Sequence, residues 1–149
     1  MSAFVTAGAG FLLAVLWLDL MFDVQTIAHR GRELPEEALA SIAGYYARVT
    51  TAARPMNRLI ALVMLATLAA IVVELTGGHQ ASWVAWASLA LAVPPIALAG
   101  GHTVPSAVRL GTRRDPVTRQ SELARTICRE HLFCAGCIAG LVAVQLGFG

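Results

Sequence analysis

The sequence predicts an all-α integral membrane protein: a four-helix bundle with two helical cytoplasmic extensions. Three observations carry that prediction. The chain contains four long apolar runs, its cationic side chains are confined to two of the connections between them, and its composition is too apolar for a water-soluble domain. Of 149 residues, 57% are hydrophobic and 13% charged, whereas soluble domains average about 45–50% and about 25%. Mean hydropathy is +0.68.

All eleven basic residues are arginine. Arg30, Arg32, Arg48, Arg54 and Arg58 lie between the first and second apolar runs, and Arg109, Arg113, Arg114, Arg119, Arg125 and Arg129 between the third and fourth. Neither terminus carries one, nor does the connection at 76–82. Cytoplasmic loops of bilayer proteins retain Lys and Arg. The expected topology is therefore multi-pass in the cell membrane, with N- and C-termini outside and the arginine loops cytoplasmic. Those loops would meet anionic headgroups, so membrane lipid is an expected partner. A net charge of +2 gives no ground for nucleic-acid binding. The first run lacks the positive n-region of a secretory signal and reads as a retained span. No linker or repeat divides the chain, so residues 1–149 are expected to form a single four-span domain.

A hydrocarbon core about 30 Å thick requires roughly 20 apolar residues of helix, because every backbone amide must be satisfied within the segment. Span one is expected at about 3–22. Next, Pro35-Glu36-Glu37 has the form of a helix start, with proline and acids in the first turn. Leu39, Ile42, Ala43, Tyr46 and Val49 then recur at helical spacing. This predicts an amphipathic helix running into span two (about 56–75), with a kink at Pro55. Thr76-Gly77-Gly78-His79-Gln80 reads as a short turn, with Glu74 and His79 solvated.

Span three is expected at about 82–99. Trp83 and Trp86 at its start fit an aromatic belt, and Trp17 fits either a belt or a buried position. Pro94-Pro95 removes amide donors inside this span, and Gly100-Gly101 follows. A simple bend and a pocket in the cytoplasmic half are equal alternatives. Asp115-Pro116 starts a last helix whose stripe, Leu123, Ala124 and Ile127, leads into span four at about 131–148. Gly136 and Gly140 form a GxxxG pattern that permits close helix approach. Its partner is span one, through Gly8 and Gly10, or another protomer, and intrachain packing is the expected use.

Polar groups at membrane depth are functional candidates by default. Asp19 and Asp23, four residues apart on a helix, point the same way. Arg129, Glu130 and His131 open span four, His102 closes span three, and Tyr45, Tyr46 and Asn57 precede or begin span two. An antiparallel bundle brings these groups to one level, where they would line a polar-mouthed cavity. In the functional reading, Asp19 or Asp23 orients His102 or His131, and a histidine serves as general base or metal ligand. In the structural reading, Asp19 pairs with Arg58 or Arg129 and staples spans together. Asp19 is flanked by apolar sequence on both sides and is the more telling of the two. Asp23 fits the headgroup region.

Cys134-Ala-Gly-Cys137 is a CxxC, but Cys128 is the sole further cysteine, so the second pair of a thiol relay is missing. A buried thiol pair ordinarily packs as a small apolar group. Cys128, His131 and His102 are candidates for a metal site, and His102 with His131 for haem, yet no motif of known metal spacing is present. No metal ligand is assigned and the cofactor stays unknown. There is no Walker loop, GxSxG, HExxH or dinucleotide fingerprint.

Three short patterns carry a family resemblance. One is Tyr45-Tyr46-Ala-Arg48 leading to Arg54-Pro55-Met56-Asn57-Arg58. Another is Pro94-Pro95-Ile96 followed by Thr103-Val104-Pro105 and Leu110. The third is the arginine-rich entry to span four with Arg129 and His131. In these motifs and in layout the chain resembles the anthrone-oxygenase-like family of small four-span membrane proteins. The resemblance implies a bundle with a pocket for a hydrophobic, aromatic ligand and a cofactor-free oxygenase-like reaction. On that reading Asp19, His102 or His131 deprotonates the substrate, and Tyr45 or Asn57 holds the oxyanion. Trp17, Asp23, Tyr46 and Arg129 complete the expected ligand-binding set.

Three functions are carried from this reading. The first is a binder of a hydrophobic small molecule near the cytoplasmic side, with or without oxygenase-like chemistry. The second is a non-catalytic subunit or scaffold of a larger membrane complex. The third is a proton-coupled transporter working as a homo-oligomer, with Asp19 as its proton site.

Overall fold

The computed structural model describes residues 2–77 and 81–149. Gly78, His79 and Gln80 of the expected turn lie outside the described residues, and so does the expectation that His79 is solvated. The helices are α1 (Ser2–Asp23), α2 (Gln25–Ala28), α3 (Glu36–Ala47), α4 (Arg54–Gly77), α5 (Ser82–Leu98), α6 (Val104–Gly111) and α7 (Val117–Phe148). A π-helical turn at Arg48–Ala52 joins α3 to α4, and another at Ala99–Thr103 joins α5 to α6. The protein is an all-α bundle with four helical stretches long and apolar enough to cross a membrane, the architecture of a multi-pass membrane protein.

Local chemistry explains where the helices start and break. Pro35 caps α3 in an extended conformation (φ −55°, ψ 146°), with Glu36 and Glu37 in the first turn, where negative charge favours the helix dipole. Pro116 does the same for α7 (φ −57°, ψ 151°). The expected break before span two falls at Ala53, whose N–H reaches back to Arg48 O at 3.0 Å, and not at Pro55. Pro55 lies in the first turn of α4, where a missing N–H forfeits no intrahelical bond. The proline pair of α5 also behaves differently from a simple kink. The α-helix runs through Pro94-Pro95 to Leu98, and the irregular turn falls on Gly100-Gly101 just beyond.

The four long helices form a ring in which α1 packs on α4 and α7, and α5 packs on the same two. Each neighbour runs antiparallel, the up-down-up-down arrangement of four-helix bundles. Val5, Ala9, Leu12, Ile71, Ala92, Ile138 and Leu141 fill its centre. Phe4, Leu62, Leu65, Val73 and Leu146 point outward, leaving an apolar outer surface that suits lipid.

Beyond the arginine-rich end of the ring lies a second layer. Here α3 packs against α6 and the first turns of α7 through Leu39, Ile42, Ala43, Leu110, Leu123, Ala124 and Ile127. The 32 residues of α7 span about 48 Å at 1.5 Å per residue, enough to run through both layers. The loop before α3 is clamped to this rod. Leu34 N–H donates to Ser121 Oγ at 2.9 Å, and the Arg125 guanidinium donates to the carbonyls of His29, Gly31 and Arg32.

The glycines show where backbones approach. Gly140 faces Leu91 of α5, while Gly136 and Gly10 face open space. The GxxxG pattern is therefore not a helix–helix seam with α1. Gly8 of α1 instead meets Thr67 of α4. At Gly111 a Cβ would lie 2.9 Å from Ala47 N, so α6 touches the α3 backbone directly. Gly111→Leu is expected to push the two helices apart and to lower stability by about 1–3 kcal/mol, the usual range for overpacking. Thermal unfolding in detergent, with Gly10→Leu as the open-space control, checks this.

Candidate functional site

The two layers meet around a cluster of ionisable groups from α1, α3 and α7. Asp23 ends α1 and is fully buried. Its carboxylate only accepts hydrogen bonds. Tyr46 O–H donates to Asp23 Oδ1 at 2.7 Å, and His131 Nδ1 lies 2.6 Å from Asp23 Oδ2. An ionised Asp23 therefore fixes the His131 tautomer with hydrogen on Nδ1. That leaves Nε2 as the basic nitrogen when the ring is neutral. Nε2 is 3.9 Å from Asp19 Oδ2, beyond direct hydrogen bonding but close enough for attraction once the ring is charged. Asp19 Oδ1 accepts from Tyr45 O–H at 2.6 Å.

The supporting contacts hold this geometry. The i, i+4 spacing puts both aspartates on one face of α1, and α3 brings the adjacent tyrosines down onto them, one for each carboxylate. The Phe22 ring stacks on Tyr45 with centroids 4.1 Å apart. Gln25 Nε2 donates to Ser41 Oγ at 3.1 Å, tying α2 to α3. Burial, reinforced by the neighbouring carboxylates, pushes both phenols above the ordinary tyrosine range. Both tyrosines therefore stay protonated donors at any working pH. His131 is thus bracketed by two carboxylates, each held by a phenol.

Beside the cluster opens a cleft of about 270 Å³ lined by Thr26, Ile27, Arg125, Cys128, Arg129 and Leu132. Thr26 Oγ1 donates to Asp23 O at 2.8 Å, so one wall of the cleft is bonded to the residue that orients His131.

Asp19, Asp23, Tyr45, Tyr46 and His131 thus come together as one constellation, and four other expected members do not. His102 pairs with Glu130 at 2.5 Å, and Glu130 also accepts from Thr103 Oγ1 at 2.7 Å. His102 lies inside the π-helical turn that follows α5, and its ring is committed to Glu130 instead of the His131 cluster. Asn57 Nδ2 donates to Val49 O at 2.6 Å and ties the α3–α4 junction. Trp17 is 70% exposed on the outer face of α1. Arg129 reaches Thr126 Oγ1 at 3.4 Å and lines the cleft without touching the carboxylates. The expected pairing of Asp19 with Arg58 or Arg129 is replaced by its contacts to Tyr45 and His131. Asp23, expected at the headgroups, is instead the more deeply buried aspartate.

Because His102 is itself half-exposed in its pair with Glu130, His102→Ala is expected to change stability by no more than about 1 kcal/mol, as ion pairs with an exposed member do. It should leave the His131 site intact. Unfolding temperature and the histidine NMR resonance of His131 check this.

Glu74 departs most from expectation. It is buried, not solvated, and accepts from Gln145 Nε2 at 3.1 Å. Gln145 Nε2 also donates to Ser88 Oγ at 2.9 Å. The sequence signal for this second cluster is three isolated polar residues in otherwise apolar spans. Among the described residues, no three His, Cys, Asp or Glu side chains converge as metal ligands would. Cys128, Cys134 and Cys137 are free thiols.

No family model matches the chain, and no match was found among the curated proteins or the solved structures compared with it.

Proposed function

We propose that this membrane protein binds an apolar small molecule carrying a weakly acidic O–H or C–H group, and that His131 takes its proton. The observation that carries this reading is the arrangement of His131: Asp23 at 2.6 Å on Nδ1 and Asp19 at 3.9 Å from Nε2. A proton arriving from the ligand on Nε2 creates an imidazolium between two carboxylates. The site thereby stabilises the charge that develops during transfer. The ligand anion left behind lies near the Arg125 and Arg129 rim of the cleft. Ile27 and Leu132, both exposed, give the same cleft an apolar wall.

The anthrone-oxygenase-like resemblance supports a chemistry of this kind, since deprotonation of a phenol or activated methylene is what prepares such molecules for reaction with molecular oxygen. The positive-inside pattern supports a cleft at the cytoplasmic boundary, with both termini outside.

The test is mass analysis of lipid extracts from the purified protein, comparing wild type with His131→Gln. Support is a stoichiometric apolar molecule with an ionisable O–H or C–H, present with wild type and reduced at least about tenfold with His131→Gln, a loss of about 1.4 kcal/mol. Equal retention by a variant that unfolds normally would remove His131 from the role.

A further inference from the structure

At the end of the bundle away from the arginines, two buried oxygen atoms have no hydrogen-bond partner: Glu74 Oε1 and Gln145 Oε1. Glu74 is 6% exposed and Gln145 is 1% exposed. Both atoms can only accept when the carboxyl is ionised, and an orphaned buried acceptor is destabilising. The other halves of the same two groups are already joined, Gln145 Nε2 donating to Glu74 Oε2 at 3.1 Å. Two acceptors are orphaned on a carboxyl and an amide that already share one bond. A single hydrogen on the carboxyl converts one of those acceptors into a donor for the other.

We propose that Glu74 and Gln145 form a proton-binding site. Glu74 takes up one proton on Oε1 and donates it to Gln145 Oε1, while Gln145 Nε2 donates back to Glu74 Oε2. The result is a two-bond carboxylic acid–amide ring. The uptake is complete as written: the carboxylate and one proton give the neutral acid, and no bond other than O–H forms. The ring links α4 to α7, and Ser88 extends it to α5 through its 2.9 Å bond from Gln145. The proton adds the second α4–α7 bond to a network that already reaches three of the four long helices at this end.

The surroundings fit a neutral pair. Ser88 faces the pair from α5 and Ser2 Oγ lies near Gln145 and the chain end from α1. Among the described residues, no arginine or histidine is paired with Glu74. His79, five residues further along the sequence, lies outside the described residues, so its contribution is removed experimentally. The site is separate from the Asp19–Asp23–His131 cluster. His131 and Gln145 are fourteen residues apart on α7, about 21 Å along the axis, with Ile138 and Leu141 buried between them.

The experiment is infrared difference spectroscopy of the full-length protein in lipid nanodiscs at neutral pH, subtracting Glu74→Gln from wild type and repeating the pair in a His79→Gln background. The expected result is a carboxylic acid C=O band assigned to Glu74 in both backgrounds, moved in frequency by Gln145→Leu. A carboxylate band in its place would overturn the proposal. So would an acid band unmoved by Gln145→Leu, because the ring would then be absent.

Unfolding profiles give a second readout if band assignment is obscured by Asp19 and Asp23. Wild type should lose stability relative to Glu74→Gln once the proton is removed at high pH, since glutamine keeps a donor and an acceptor throughout. Parallel profiles would count against the site. Stabilisation of wild type by sodium over choline, lost in Glu74→Gln, would assign the two oxygens to a metal cation and reject the proton.

Discussion

Asp23→Ala is expected to lower folding stability by about 3–5 kcal/mol, the range for removing one partner of a buried ion pair. The side chain has no solvent exposure, and two donors, Tyr46 O–H and His131 Nδ1–H, lose their acceptor together. Those groups come from α3 and α7, so the loss loosens the junction between the two layers. Asp23→Asn should recover part of the deficit by offering Oδ1 to one donor, without supplying the charge that orients the imidazole. Chemical denaturation in mild detergent, with Tyr46→Phe and His131→Leu combined pairwise with Asp23→Ala, measures the coupling. Strictly additive losses would mean that the three side chains do not act as a unit.

Asp19→Asn is expected to do the opposite: fold normally and lose function. Tyr45 keeps an acceptor in the asparagine oxygen, and the Asp19 side chain is 17% exposed, so burial does not punish the change. What disappears is the negative charge facing His131 Nε2. At 3.9 Å the charge–charge attraction is worth about 1–4 kcal/mol, which corresponds to a loss of roughly five- to several-hundredfold in ligand retention or turnover. Extract analysis of the variant beside wild type reads the loss directly. Should the variant fail to accumulate while Asp23→Asn does, Asp19 is the structural staple and the roles of the two aspartates are reversed.

Much of the fold was legible in the residues, because the bilayer imposes a one-dimensional rule. The apolar runs at 3–22, 56–75, 82–99 and 131–148 fall inside helices that differ by only a few residues, except where α7 begins earlier, at Val117, as its amphipathic stripe indicated. The candidate site was legible in part. Asp19 and Asp23 share a face by helical spacing alone, and His131 follows an arginine-rich helix entry, so their meeting required only an antiparallel bundle.

The depth of each group was not legible. Asp23 sits at the end of its span in sequence, yet α3 folds back over it and seals it with Tyr46. His102 and His131 are both close to the same boundary in sequence, but the π-helical turn at Ala99–Thr103 rotates His102 toward Glu130. Glu74 was expected in water because the sequence puts it near an expected turn. A lone glutamine nearly four turns beyond His131 on α7 determines its burial instead, and that pairing spans 71 positions. Rotation about a helix axis and long-range lateral contacts are quantities that hydropathy does not encode.

The unbroken length of α7 has a mechanical consequence. It is clamped at Ser121 to the loop before α3, carries His131 at the boundary between layers, and ends beside Glu74 through Gln145. The segment that leads from α1 into α3 turns at Val24 and again before Pro35, but α7 has no joint along its path. A tilt imposed on the outer layer is therefore transmitted along α7 as a lever. The Asp23–His131 contact lies along that lever, so a tilt of α7 would change the distance from Nε2 to Asp19.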